Sequence, residues 1–131
     1  MNKEELREII YLDDLINSKL RQIENLRASR FSIGSMSFKP DKVQKTDFKN
    51  HQEELIVKLI DLEDDITKDI DRLVDMKTLA KISIDKLNGP YRLVMSMRYL
   101  ECMKWKEIAY RLNYSVQAVY KIHGQALKMV E

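Results

Sequence analysis

The 131-residue chain has few of the residues that interrupt regular structure, with three Gly and two Pro. An all-β domain needs many tight turns, so this scarcity is evidence against β-rich folds. Hydrophobic residues make up 44% of the chain and charged residues 34%, which is typical of a helix-rich globular protein. The composition therefore predicts an all-α fold.

Cysteine and long apolar runs are also scarce. The one cysteine, Cys102, excludes an intramolecular disulfide and fits a reducing compartment. The N-terminal residues M-N-K-E-E-L-R-E contain no apolar signal core, and no run of about 18 apolar residues occurs anywhere. We therefore expect a cytoplasmic protein that does not bind a membrane.

The residues needed for a metal site or for catalysis are missing as well. The two histidines, His51 and His123, are far apart in sequence and lack the cysteines that a zinc site would require. No glycine-rich loop could cradle a phosphate, and the carboxylates that follow Asp61 have no nucleophile beside them. We expect no enzyme activity, no metal and no cofactor, and no small-molecule ligand is evident.

Two long amphipathic helices are predicted in the first 88 residues. The first covers residues 2 to about 28 and the second about 48 to 87, with a loop at about 29–48 between them. Their apolar stripes follow a 3–4 spacing: Ile9, Leu12, Ile16, Ile23 and Leu26, then Leu55, Leu59, Leu62, Ile66, Leu73, Met76 and Ala80. A helix as long as the second needs a partner, so we expect an antiparallel, coiled-coil-like hairpin that also forms a homodimer.

Asn88-Gly89-Pro90 marks a boundary between this stem (1–88) and a second domain (89–131). Gly89 suits the left-handed position after a helix, and Pro90 suits the first turn of the next one. Three shorter helices are predicted beyond the boundary, at Tyr91–Leu100, Lys104–Leu112 and Ser115–Val130.

The last two of these helices have the spacing of a helix-turn-helix, in which a short turn leaves the second helix free to enter a DNA major groove. Ala109 is the small residue that close packing near the turn requires. Asn113 tolerates a positive φ in the turn, and Ser115 can cap the second helix. The apolar residues at a 3–4 spacing complete the predicted core: Ile108, Leu112, Val119 and Ile122.

Charge is distributed unevenly along the chain. Residues 90–131 contain seven Lys and Arg against three acidic residues, a net +4, whereas the first 89 residues carry −2. Between Asp61 and Asp75 seven acids meet two bases. This polarity favours a C-terminal end that meets a polyanion.

The span from about Ile84 to Glu131 resembles region 4 of the sigma-70 family of bacterial transcription initiation factors. The residues that carry the likeness are Y-R-L-V-M-S-M-R-Y-L-E, W-K-E-I-A-Y-R-L-N-Y-S and A-V-Y-K-I-H-G-Q-A-L-K. The whole chain is also similar to small phage or prophage proteins with a region-4-like C-terminus, through S-F-K-P-D-K-V-Q and I-D-R-L-V-D. The resemblance implies transcriptional regulation in the cytoplasm of a bacterial host cell, with double-stranded DNA and RNA polymerase as partners.

This chain departs from the sigma pattern in two respects. It has no counterpart of sigma regions 2 and 3, so the resemblance does not imply a complete initiation factor. The second helix of its helix-turn-helix (the recognition helix, predicted at Ser115–Val130) contains no arginine in its first turns. Gly124 stands where the family tends to have alanine.

Docking of a helix-turn-helix on DNA assigns roles to side chains. The N-terminal turns of the second helix face base edges, which predicts four base-reading residues: Val116, Gln117, Tyr120 and Lys121. Residues at the entry of the first helix and in the turn would contact phosphates: Lys104, Lys106, Arg111, Tyr114 and Ser115. Arg98 is open to either a phosphate contact or pairing with Glu101 or Glu107, and Trp105 is expected to pack at the helix entry.

Two other functions fit the same pattern. A phage DNA-packaging adaptor of the small-terminase kind also joins a helix-turn-helix to a helical oligomerisation stem. Alternatively, the second domain (89–131), here called the head, binds polymerase and does not itself read DNA. Stoichiometry distinguishes the first of these from a regulator, and DNA affinity distinguishes the second.

Overall fold

The structure, a computed structural model, describes the backbone of residues 1–36 and 42–130 and the side chains of 1–29 and 47–130. The described residues are helical, without strands, in five α-helices and one π-helical turn. The all-α class predicted from composition is therefore confirmed. None of the described helices combines the length and apolar content that a membrane crossing requires.

The two long helices are longer than the sequence predicts. Helix α1 is Lys3–Met36 and helix α2 is Lys42–Ile84. Residues 29–36 and 42–48, predicted as parts of a loop, are thus helical, whereas 37–41 lie outside the described residues. The prediction gave too much weight to Ser and Gly34, since each costs a helix at most about 1 kcal/mol.

The chain divides into two compact units, Met1–Asp14 with Asp71–Glu131, and Leu15–Ile70. Both α1 and α2 contribute to each unit. The predicted boundary at 88/89 therefore falls inside the first unit, and the division into stem and head stays a prediction.

Ion pairs connect α1 and α2 within the second unit. Lys19 Nζ lies 2.6 Å from Asp69 Oδ2, and Arg27 Nη2 lies 3.5 Å from Glu63 Oε1. From the first ion pair to the second, the residue number rises from 19 to 27 on α1 and falls from 69 to 63 on α2. This is the order expected of antiparallel neighbouring helices. Lys19, which interrupts the apolar stripe of α1, is thereby accommodated, and its hydrogen bond to Asp69 raises the pKa of the ammonium group.

Helix α2 ends three residues earlier than predicted. After Ile84 the chain makes a turn in which the Leu87 amide donates to the Ile84 carbonyl at 3.0 Å. Asp85 in this turn accepts from Lys81 at 2.6 Å and from Arg92 at 3.2 Å. Leu87 is still buried, so its apolar character reflects packing of the turn.

The third predicted helix is in fact two elements. Helix α3 is Gly89–Met95, with Pro90 in its first turn. Gly89 has the predicted positive φ, +53°, but it begins α3 and does not directly follow α2, which ends at Ile84. A π-helical turn follows at Ser96–Leu100, where the Glu101 amide bonds to the Ser96 carbonyl at 3.1 Å. Cys102 then takes the left-handed conformation, with φ 54°. The wider turn and this residue end the helix before α4.

Helices α4, Trp105–Leu112, and α5, Val116–Val130, match their predicted ranges to within one residue. They share one apolar core with α3 and the π-helical turn. Its buried members are Val94, Met97, Met103, Ile108, Ala109 and Val119.

Candidate functional site

The connection between α4 and α5 has three residues, Asn113 to Ser115, and each has a defined local role. Asn113 adopts the predicted left-handed conformation, with φ 55° and ψ 38°. The Tyr114 amide donates to the Ala109 carbonyl at 3.0 Å and closes the last turn of α4. Ser115 Oγ accepts from the Ala118 amide at 3.1 Å, so the predicted cap of α5 is confirmed.

The inner faces of α4 and α5 meet in the apolar core. Ile108, Ala109 and Val119 are buried, and Leu112 and Ile122 pack partly buried against them. Trp105 packs at the start of α4 on the same cluster, as expected. Ala109 is only 4% exposed, so a small side chain is what fits between the turn and the core at this position.

Three of the four predicted base readers lie on the outer face of α5. Gln117, Tyr120 and Lys121 are exposed, whereas Val116 is half-buried and packs against the core. Val116 therefore has less side-chain surface available for a thymine methyl than the sequence pattern suggests. Tyr120 makes an edge-on contact with Trp105 at a centroid distance of 5.3 Å, which orients its ring.

The predicted phosphate-contacting residues are all exposed: Lys104, Lys106, Arg111, Tyr114 and Ser115. Lys106 and Arg111 line a shallow groove on the outer side of α4 together with Glu107 and Tyr110. Tyr110 is 85% exposed and was not among the predicted site residues. An aromatic residue next to Ala109, on the side of α4 opposite the core, was the signal available in the sequence.

A second cluster surrounds Trp105. The Arg98 guanidinium carbon lies 4.4 Å from the centre of the Trp105 ring, and Arg98 Nη1 donates to the Met103 carbonyl at 2.9 Å. Arg98 forms no ion pair with Glu101, Glu107 or any other described residue. Packing against the indole therefore takes the place of the carboxylate pairing that the sequence left open.

His123 completes this cluster from α5. Its Nε2 lies 2.6 Å from the Tyr99 hydroxyl, and its ring makes an edge contact with Trp105 at 4.6 Å. Burial, followed by the positive charges of Arg98, Lys3 and Arg7, lowers the pKa of His123 to about 4. The imidazole is therefore neutral at pH 7. Burial also raises the pKa of Tyr99, which stays a neutral phenol.

Among the described side chains, those of residues 1–29 and 47–130, no three His, Cys, Asp or Glu come together as possible metal ligands. Cys102 is half-buried, and burial raises the pKa of its thiol. Such a thiol is a poor nucleophile at neutral pH.

Comparison with known proteins gives a family and no named function. No curated protein and no solved structure gives a significant match to the chain. A family model described as "Protein of unknown function (DUF1492)" matches residues 32–131, which include α2 to α5 and all the residues of the α4–α5 site. The chain belongs to this family of proteins of unknown function.

Proposed function

We propose that the chain is a sequence-specific DNA-binding transcriptional regulator in which α4 and α5 form a helix-turn-helix. The observation that carries this proposal is the three-residue connection, with a left-handed Asn113 and a capping Ser115 between two helices that share one core. A second helix held in this way can present its N-terminal turns to a major groove.

The outer face of α5 supports direct reading of bases. Gln117 is exposed and can pair through two hydrogen bonds with adenine, and exposed Lys121 can reach the acceptors of guanine. Tyr120, held against Trp105, has an exposed ring that can contact a thymine methyl or the backbone. Val116, being half-buried, acts mainly by packing.

Cations on α4 and in its entry fit a phosphate-contacting role. Lys104, Lys106 and Arg111 are exposed, and none of them forms an ion pair with a described residue. Unpaired cations can exchange condensed counterions for contact with phosphates, which supplies most of the sequence-independent affinity. Glu107 and Tyr110 lie beside Lys106 and Arg111 and would limit how closely the DNA backbone approaches α4.

The long helices are proposed to form an antiparallel hairpin that dimerises or docks on RNA polymerase. The order of the two ion pairs between α1 and α2 supports the hairpin. Ile56, Val57 and Ile60 on α2 are 37%, 57% and 52% exposed, an apolar patch that a second copy would cover. A single helix-turn-helix makes few phosphate contacts, so a dimer also provides the affinity that one head lacks.

Duplex-binding measurements with two single variants test the proposed site. Gln117→Ala should relax the preference at one base pair, at a cost of about 1–3 kcal/mol for the preferred base. Lys106→Ala should weaken binding to all DNA sequences alike, and should lower the magnitude of the slope of log affinity against log salt concentration by about one. Fluorescence anisotropy on a selected site and on a scrambled duplex measures both quantities.

Lys68→Ala is the matched control, because Lys68 is an exposed lysine on α2 outside the α4–α5 surface. The DNA affinity of the Lys68→Ala variant, and the salt dependence of that affinity, should equal those of the unchanged chain. No binding to duplex at about 50 mM salt, where the electrostatic contribution is strongest, would overturn the DNA-binding proposal. Identical effects of Gln117→Ala and Lys106→Ala on every sequence would overturn the assigned roles.

A further inference from the structure

A groove in the first unit is separate from the outer face of α5. It has a volume of about 400 Å³, within the range of small-molecule sites. The first turns of α1 form one wall, the π-helical turn another, and Trp105 and His123 close it from α4 and α5.

The groove is positively charged. Lys3, Arg7 and Arg98 line it, against a single carboxylate, Asp14. None of the three cations forms an ion pair with a described residue. His123 is neutral at pH 7, so it neither adds to this charge nor offsets it. The local excess of two positive charges is opposite in sign and similar in magnitude to the charge of a phosphate monoester, about −1.5 to −2 at neutral pH.

The groove also offers flat surfaces. Tyr11 is 63% exposed, although its neighbours Ile9 and Leu12 on the same helix are buried. The indole of Trp105 also lines the groove, with the Arg98 guanidinium packed on it, and Arg98 Nε is buried without a hydrogen-bond acceptor among the described residues. A buried donor of this kind ordinarily has a partner. Aromatic rings beside unpaired cations suit a ligand that joins a planar ring to an anion.

We propose that this groove binds a nucleoside monophosphate, with the phosphate on Lys3 and Arg7 and the base against Tyr11 and the Arg98–Trp105 pair. The bound nucleotide acts as an effector, because Trp105 contacts both the groove and Tyr120 on the outer face of α5. A shift of the indole is thereby passed to a base-reading side chain. The regulatory consequence rests on the proposed DNA-binding function, whereas the binding site does not.

Trp105 is the sole tryptophan, so its fluorescence reports on the groove without DNA. Titration of the full chain with adenosine monophosphate should change the emission saturably and raise the melting temperature. Adenosine and inorganic phosphate, each offering half of the recognised groups, should bind at least about tenfold more weakly. Arg7→Gln should weaken the binding of adenosine monophosphate about tenfold or more, because charge-assisted hydrogen bonds to the phosphate are lost.

Arg21→Gln is the matched control, because Arg21 is an exposed arginine on α1 that does not line the groove. Its titration should equal that of the unchanged chain. Arg7 is exposed, so its replacement should leave the fold intact, which the melting curve without ligand checks.

The site is overturned if adenosine monophosphate changes neither emission nor melting temperature, or if Arg7→Gln binds it as well as Arg21→Gln does. It is also overturned if inorganic phosphate binds equally well, or if only a DNA duplex, and no mononucleotide, changes the emission. If the nucleotide titrates and no duplex binds, the site stands and the DNA-binding function fails. If both bind and the nucleotide leaves DNA affinity unchanged, the effector role fails.

Discussion

At the scale of single residues, His123 shows how far a neighbourhood can change a side chain. In sequence it is an isolated histidine with no metal-binding partner. In the structure it packs against Tyr99 and Trp105, and burial, followed by the positive charges of Arg98, Lys3 and Arg7, lowers its pKa to about 4. Its protonation is therefore coupled to the packing of α5 against the π-helical turn and α4.

This coupling predicts a pH dependence of stability. The pKa of His123 is about 4 in the folded chain and near 6.5 when unfolded, so the unfolded chain takes up the proton first. The stabilisation is fully present above about pH 6.5 and is lost as the pH falls towards 4. We expect a loss on the order of 1 kcal/mol, because water partly screens the half-buried ring. Urea unfolding between pH 7 and pH 5 measures it.

His123→Gln should flatten this dependence while keeping a hydrogen-bonding group beside the Tyr99 hydroxyl. His51→Gln is the comparison, because His51 is exposed on α2. A decline between pH 7 and pH 5 that is equally steep in His123→Gln and in the unchanged chain would show that other groups cause it.

At the scale of elements, the α4–α5 connection depends on one backbone conformation. Asn113 is left-handed, a region that costs most L-residues roughly 1–2 kcal/mol and Asn less. We predict that Asn113→Ala lowers the free energy of unfolding by about 1 kcal/mol, and that Asn113→Gly leaves it unchanged or slightly raised. Urea unfolding of the three chains provides the comparison.

Asn88 supplies the matched control for this prediction. It is also exposed and precedes a helix, but it has φ −118°, and its side chain makes no capping bond. Asn88→Ala should therefore change stability by no more than about 0.5 kcal/mol. If Asn113→Gly proves as destabilising as Asn113→Ala, the side chain of Asn113, rather than its backbone conformation, is what the turn requires.

At the scale of the whole molecule, the proposed dimer has a testable interface. Ile56, Val57 and Ile60 are exposed on α2, so a charge there should leave the folded protomer intact. We predict that Ile60→Glu converts a dimer to a monomer in sedimentation measurements, because a carboxylate would be buried without a partner. Helical content by circular dichroism should stay the same.

Ile82→Glu makes the same change at an isoleucine that is 57% exposed, outside the patch. It should leave the dimer unchanged. A chain that is monomeric at every soluble concentration contradicts the stem-dimer proposal, and a ring of many subunits favours the DNA-packaging alternative.

The sequence by itself determined the helical class, the bounds of α4 and α5 to within one residue, and the roles of Asn113 and Ser115 in the turn between them. These features follow from local rules, namely the 3–4 apolar spacing, the preference of Asn for a positive φ and the capping geometry of serine. Such rules act over a few residues, which is why an isolated sequence is enough to apply them.

Only the tertiary structure decided that residues 29–36 and 42–48 are helical, that a π-helical turn and a left-handed Cys102 interrupt the third helix, and that Val116 packs inward. It also brought Lys3 and Arg7 to the same groove as Arg98, Trp105 and His123, about 90 to 120 residues further along the chain. The physical reason is that burial, unpaired charge and pKa depend on neighbours distant in sequence, and no local periodicity encodes them.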